Sequence, residues 1–301
     1  MTPTIITKAQ LAELDYVPRA NLVNSITGYK SANLIATADL QGRTNVAVFS
    51  SVTHFGSNPP IVGHVTRPTS VARHTYDNIK EVPEVTINIV NYAMVEQMSL
   101  ASTEYDKGIN EFDKSGLTQE PSEVVRPPRV LESPVSFECA VDQVIELGDQ
   151  GGAGNLVIAR VLKMHVREEF LKADGKLDPL KLDLVGRMGE NWYCHAGNDS
   201  LFEIPKPIQT KGIGVDQLSQ SIRNSNILEP NHLGRMGNLD RLPTEAEVME
   251  MKATDELKQI FLEFENQRDL IKDAIHYRGK QLLEEGKPFE ALTTLMIVDL
   301  I

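Results

Sequence analysis

Cysteine, positive charge and long apolar runs are all scarce in this chain, and each scarcity excludes a class of protein. The two cysteines, Cys139 and Cys194, are too few for a disulfide framework and too far apart in sequence for a metal knuckle. They read as reduced, partly buried thiols of a cytoplasmic protein. Lysine and arginine total 30 against 42 aspartates and glutamates, a formal net charge of −12. That balance argues against nucleic acid or an anionic membrane as partner, so a phosphate ligand has to be held by a local basic spot. No window approaches the roughly 20 apolar residues of a membrane helix, and residues 1–4 carry neither the basic flank nor the apolar run of a signal peptide.

Signatures of several chemistries are missing as well. There is no Gly-x-Ser-x-Gly elbow for a hydrolase. The glycines at 148–154 precede no Gly-Lys-Ser/Thr and run from strand to strand, which makes them a hairpin loop rather than a phosphate loop. Gly212-Ile213-Gly214 lacks the third glycine of a dinucleotide fingerprint. Of the seven histidines no two have the i, i+4 spacing of a helical zinc site, so no metal is expected. No carboxylates pair as general acid and base.

What is present is a chain of 301 residues, long enough to bury a core, whose pattern changes near residue 200. Residues 1–200 are read as one domain. Its strand-like runs are 29–38, 44–51, 60–66, 85–90, 135–145 and 155–167, with short helices expected at 70–80, 94–100 and 106–114. Asp39-Leu40-Gln41-Gly42 is a turn sequence. Many short strands with few helices suggest a small barrel, which removes exposed sheet edges. Residues 201–301 are read as a proline-paced connector and a helical extension. In the extension Thr244 and Glu247 form a capping box, and Leu257, Ile260, Phe261 and Phe264 share one helical face. This extension is expected to pack on the barrel or on a partner subunit.

The most telling stretch is 42–60. Its apolar run, Asn45-Val46-Ala47-Val48-Phe49, breaks into Ser50, Ser51 and Thr53 and ends at Pro59-Pro60. A strand leaving its sheet through small hydroxyl residues offers backbone N–H and O–H donors on an exposed turn, which suits a planar polar ring or a phosphate.

Asn45–Ser51 followed by Asn58-Pro59-Pro60 resembles the first flavin motif of the flavin reductase-like, flavoredoxin-type proteins. Arg73-His74-Thr75-Tyr76-Asp77-Asn78-Ile79 is similar to the second, with His74 standing where an aspartate is common. Val85-Thr86-Ile87-Asn88-Ile89-Val90, Ser115-Gly116-Leu117-Thr118, Pro128-Arg129-Val130, Phe137-Glu138-Cys139 and Gly186-Arg187-Met188-Gly189 with Tyr193 continue the likeness in order. The resemblance covers about residues 20–195. It implies a mainly β fold, an FMN-binding split β-barrel with short inserted helices, here with a helical C-terminal extension, and a homodimer with FMN at its interface. It further implies that Asn45, Ala47 and Val48 line the flavin ring, that Ser50 and Ser51 bond its polar edge or ribityl chain, and that Thr53, Arg73 and Thr75 hold the phosphate. Asn88 joins the cofactor set, and no catalytic side chain is expected. The activity so implied is hydride acceptance from NADH or NADPH onto flavin, then electron delivery to free flavin, a protein or another acceptor. A non-catalytic FMN-binding electron-transfer protein, or an interaction module on a ligand-free barrel, fits the same residues.

Overall fold

A computed structural model describes residues 6–26, 28–66, 74–106, 108–148, 153–204 and 211–301. The chain divides into two units, Met1–Phe202 and Glu203–Ile301.

The first unit is built on strands β1 (Lys30–Ser31), β2 (Asn33–Ala38), β3 (Thr44–Phe49), β4 (Thr53–Ser57), β5 (Pro60–Thr66), β6 (Glu84–Ile89), β7 (Gln119–Glu120), β8 (Arg129–Val130), β9 (Val135–Glu146), β10 (Asn155–Val166), β11 (Leu184–Gly189) and β12 (Trp192–Ala196). Helices α1 (Lys8–Glu13) and α2 (Tyr16–Ile26) precede them, and α3 (His74–Glu81), α4 (Val95–Leu100), α5 (Glu111–Ser115) and α6 (Pro179–Leu182) are inserted between them. Seven strands form one antiparallel sheet in the order β3-β2-β6-β9-β10-β5-β4. β1, β11 and β12 form a smaller sheet.

This strand order forces closure. β3 and β4 are the two outermost strands, yet only residues 50–52 separate them in the chain. Four residue steps span at most about 14 Å, so the sheet has to curl until its own edges meet. The result is a barrel with a seam, crossed at one end by Ser50, Ser51 and Val52.

The seven-stranded sheet is buried on both faces around β2, whose six residues are all buried. Ile35 points inward to Ile87, Val85, Cys139, Val157 and Ala159, which fill the barrel. Leu34 and Ala36 point outward with Val46, against Met98 of α4 and Phe112 of α5. The turn before β3 follows from its residues: Asp39 Oδ1 accepts from Gln41 N and Arg43 N at 3.0 and 2.8 Å, and Gly42 takes a φ of 78°. Leu147 N bonds Gly154 O at 2.9 Å beneath the loop that joins β9 to β10, as a hairpin requires.

The second unit is helical: α7 (Gln220–Arg223), α8 (Pro230–Gly237), α9 (Glu245–Lys252), α10 (Asp255–Glu263), α11 (Arg268–Glu284) and α12 (Pro288–Leu295). The capping box expected at α9 is present, with Glu247 N donating to Thr244 Oγ1 and Thr244 N donating to Glu247 Oε2 at 2.7 Å. Arg241 forks onto the same carboxylate at 2.7 and 2.8 Å and holds it down to about 2. The stripe of Leu257, Ile260, Phe261 and Phe264 packs with Ile271, Ile275 and Ile297 inside this unit. No helix among the described residues is long and apolar enough to cross a membrane.

Candidate functional site

Six of the expected site residues, Asn45, Ala47, Val48, Ser50, Ser51 and Thr53, lie on the two seam strands or between them, and the structure sorts those on β3 by its two-residue alternation. Asn45 and Ala47 share one face of the strand, while Val46 and Val48 share the other. Val48 accordingly packs on the outer core with Leu34 and Ala36, away from Ala47. A ring lying on one face of β3 therefore meets Ala47 without Val48.

The hydroxyl turn is shorter than the sequence suggests. Thr53 opens β4 and pairs with Gly63, so only residues 50–52 lie outside the ladders. Ser51 is fully engaged: its Oγ accepts from Val65 N at 3.0 Å and donates to Val65 O at 3.2 Å, pinning the crossing to β5. The hydroxyls of Ser50 and Thr53 have no hydrogen-bond partner among the described residues. The Phe55 ring of β4 lies over Gly63 of the paired β5, where a Cβ would stand 2.1 Å from it, so a side chain there displaces the ring. Beyond the ladder to β2, the outer side of β3 is unpaired in the sheet, and so is the outer side of β4.

Asn45 and Thr75, thirty positions apart, do meet. The Asn45 amide has one orientation in which every contact joins a donor to an acceptor. Its Oδ1 accepts from Thr75 Oγ1 at 2.9 Å and from Val46 N at 3.2 Å, while Nδ2 donates to both Glu111 oxygens at 3.1 and 3.2 Å. Glu111 is buried, and His74 Nδ1 stands 3.6 Å from its Oε1. Asn110 fixes this carboxylate by capping α5, its Oδ1 accepting from Phe112 N at 3.0 Å and its Nδ2 reaching Thr44 Oγ1 at 3.3 Å. Asn45, His74 and Glu111 line a cleft of about 440 Å³ together with Arg43, Asp77 and Asn78, a volume in the range of small-molecule sites.

Arg73 lies outside the described residues. Asn88 is placed elsewhere than expected: fully buried on β6, its Nδ2 donates to Leu34 O and Thr86 Oγ1 at 3.1 Å each, and its Oδ1 accepts from Val130 N at 3.0 Å. Both ends of that amide tie β2, β6 and β8 together and leave no group turned to a ligand. Glu111, which belongs to the cleft, escapes sequence reasoning. Its one signal is Asn110, an N-cap residue just before Glu111-Phe112-Asp113.

A larger hollow of about 820 Å³ lies apart from these residues, beside Arg129, His165 and Arg167. Its cationic groups are paired within the protein: Arg129 with Glu120 at 2.9 Å, Arg167 with Glu169 at 2.6 Å, and His165 with Glu138 at 2.6 Å. Cys139 is sealed in the barrel, where burial pushes its thiol up to about 12. Among the described residues no group of three or more His, Cys, Asp or Glu side chains is placed to hold a metal ion.

Comparison with known proteins agrees with this architecture. The profile of the flavin reductase like domain matches residues 26–181. An uncharacterized protein of Halalkalibacterium halodurans is 30% identical over 177 residues, 58% of this chain and 83% of its own. Among solved structures, a split-barrel protein of Shewanella frigidimarina assigned to the flavin reductases is 35% identical, with a TM-score of 0.60 over 68% of this chain and 100% of its own. The fold is shared at 22% identity and a TM-score of 0.62 with nitrilotriacetate monooxygenase component B of Bacillus cereus, over 68% of this chain and 100% of that one. It is shared also with flavoredoxin of Desulfovibrio vulgaris, at 24% identity and a TM-score of 0.54 over 69% and 98%. The strand order, the seam and the matched region lead to one conclusion: this chain belongs to the flavin reductase-like family and carries its split barrel, with a helical unit C-terminal to it.

Proposed function

We propose that this protein is an FMN-dependent oxidoreductase that draws electrons from NADH or NADPH and passes them to free flavin, a protein or another acceptor, working as a homodimer. The observation that carries this reading is the seam of a family-matched barrel, where the hydroxyls of Ser50 and Thr53 have no partner among the described residues and stand beside unpaired strand edges.

The residues present fit a flavin. Small Ala47 lets a planar ring approach the main chain of β3, whose outer side offers N–H and C=O groups for the ring's polar edge. Ser50 and Thr53 offer hydroxyls to the ribityl chain and phosphate, and the resemblance puts Arg73 at the phosphate. Bound flavin supplies the redox chemistry, so the protein need not provide an acid–base pair. Its own residues then bind, orient and tune, while the ladders on β3 and β4 hold the seam's walls in register.

The test is the visible absorption spectrum of the purified protein with added FMN, before and after anaerobic NADH. The expected result is a bound flavin band that bleaches, together with a rise in melting temperature; occupancy at a hundred times Kd stabilises by about 2.7 kcal/mol. A protein whose melting temperature ignores excess FMN and which retains no flavin contradicts the reading.

A further inference from the structure

In the helical unit a buried histidine is held by a bond whose direction follows from counting donors. His276 of α11 is 7% exposed, and its Nδ1 stands 2.8 Å from Ser225 Oγ in the turn between α7 and α8. The Ser225 oxygen already accepts from Ile227 N at 3.1 Å and from Leu228 N at 3.3 Å. Both lone pairs are then in use, and the single hydroxyl proton is left for His276. Nδ1 therefore accepts, and the neutral ring carries its proton on Nε2. That nitrogen is buried, with no hydrogen-bond partner among the described residues.

A second proton on the ring undoes this arrangement. It has to sit on Nδ1, which sets three N–H donors on one serine oxygen and forces the hydroxyl proton to turn elsewhere. The imidazolium is also a buried charge. Burial holds the His276 pKa below the ordinary histidine value, against the raising influence of Asp273 on α11 and Asp299 in the C-terminal turn Met296–Leu300; Lys272 lowers it further. Asp299 itself accepts from Ser221 Oγ at 2.5 Å. On α8, Glu229 pairs with Lys280 at 3.4 Å, His232 Nδ1 accepts from Glu229 N at 3.0 Å, and Arg235 donates to Leu283 O at 2.8 Å. Glu256 of α10 pairs with Arg278 at 2.7 Å, and α12 carries only Glu290, in its first turn. The part that gives way is the turn, whose Leu228 is buried with Leu218, Ile222, Met236 and Leu283.

We propose that His276 is a proton-operated latch on the helical unit: the neutral ring holds the turn at 225–228 shut, and protonation releases that turn, with Leu228, while α11 and α12 stay packed. The closed turn binds the proton poorly, and the open turn binds it as an ordinary histidine does. Opening is therefore favoured as pH falls below about 6.5 and is suppressed above it. The latch is independent of the flavin-binding reading given above.

The experiment follows amide hydrogen exchange by mass spectrometry on the full chain, from about pH 7.5 to about pH 5, with each rate set against its intrinsic rate at the same pH. In the wild type, protection of Ile227 and Leu228 is expected to fall about tenfold per pH unit below the ordinary histidine value, while peptides from α12 keep theirs. His276→Asn places an amide oxygen where Nδ1 stands, so Ser225 keeps its acceptor and nothing titrates. Protection in this variant is expected to stay level. Level protection in the wild type, an equally steep fall in His276→Asn, or a matching loss in α12 overturns the proposal. The nitrogen magnetic resonance spectrum of wild-type His276 is a check that needs no variant. It is expected to show the proton on Nε2 at neutral pH, and a proton on Nδ1 overturns the proposal.

Discussion

His64 sits on β5 fully buried, with neither ring nitrogen hydrogen-bonded among the described residues and its ring edge-on to Phe49 at a centroid distance of 5.2 Å. Burial alone disfavours the imidazolium and holds its pKa down to about 3. The unfolded chain therefore takes up a proton on this residue near pH 6.5, while the folded chain stays neutral there. Stability is fully present above the unfolded value and is lost as pH falls toward 3, at a slope of about 1.4 kcal/mol per pH unit from this residue. His64→Leu is expected to flatten that slope in urea unfolding across pH 6.5 to 4. An unchanged slope in the variant would show that His64 is not the group that titrates. Nothing in Ile61-Val62-Gly63-His64-Val65 announces a neutral histidine; only the tertiary packing of Phe49 on it does so.

At the scale of elements, one carboxylate fastens a whole segment to the sheet. Glu138 of β9 is fully buried and accepts from the backbone N–H groups of Glu123, Val124 and Val125, at 2.6 to 3.2 Å, and from His165 Nε2 at 2.6 Å. Burial alone would raise its pKa, but these donors outweigh it and the net shift is downward. Its contribution is present above the ordinary carboxylate range and is lost as pH falls through the lowered value. Glu138→Gln turns an amide N–H₂ toward backbone donors and is expected to cost about 3 kcal/mol in equilibrium unfolding at neutral pH. A cost near zero would mean that residues 121–128 are held by something else. Elements with clear periodicity were legible from sequence: β5, β9 and β10 lie within about two residues of expectation. β4 was not, because Thr53-His54-Phe55-Gly56-Ser57 is an edge strand with little burial, and burial is what writes alternation into a sequence. The candidate site was half legible. The resemblance set Asn45 at the flavin ring and Thr75 at the phosphate and gave no sign that the two side chains bond each other, whereas the opposite facing of Val48 was already implicit in period-two alternation. The roles of Glu111 and Asn88 depend on partners 66 and 42 positions away, beyond any local pattern.

At the scale of the whole molecule, each hydrophobic core lies inside one unit. The barrel clusters draw on residues 32–185, and the helical clusters draw on residues 213–301. Residues 211–301 expressed alone are therefore expected to melt cooperatively with a helical circular dichroism spectrum. A non-cooperative, disordered product would show that the helices need the barrel. The change of pattern near residue 200 was visible because helical and strand periodicities differ, whereas the closing of the tail's apolar stripe on its own helices was not, since such a stripe does not name its own cover. The seam carries a last consequence. Because the outermost strands are neighbours along the chain, the barrel is a cuff fastened by its own thread. Each rim is stitched on one side only, β3 to β2 and β4 to β5, and Ser51 is the button that holds the crossing against Val65. A molecule lodged at that opening lies where the hoop is unclosed, and the cuff can loosen there while the strands opposite stay laced on both sides.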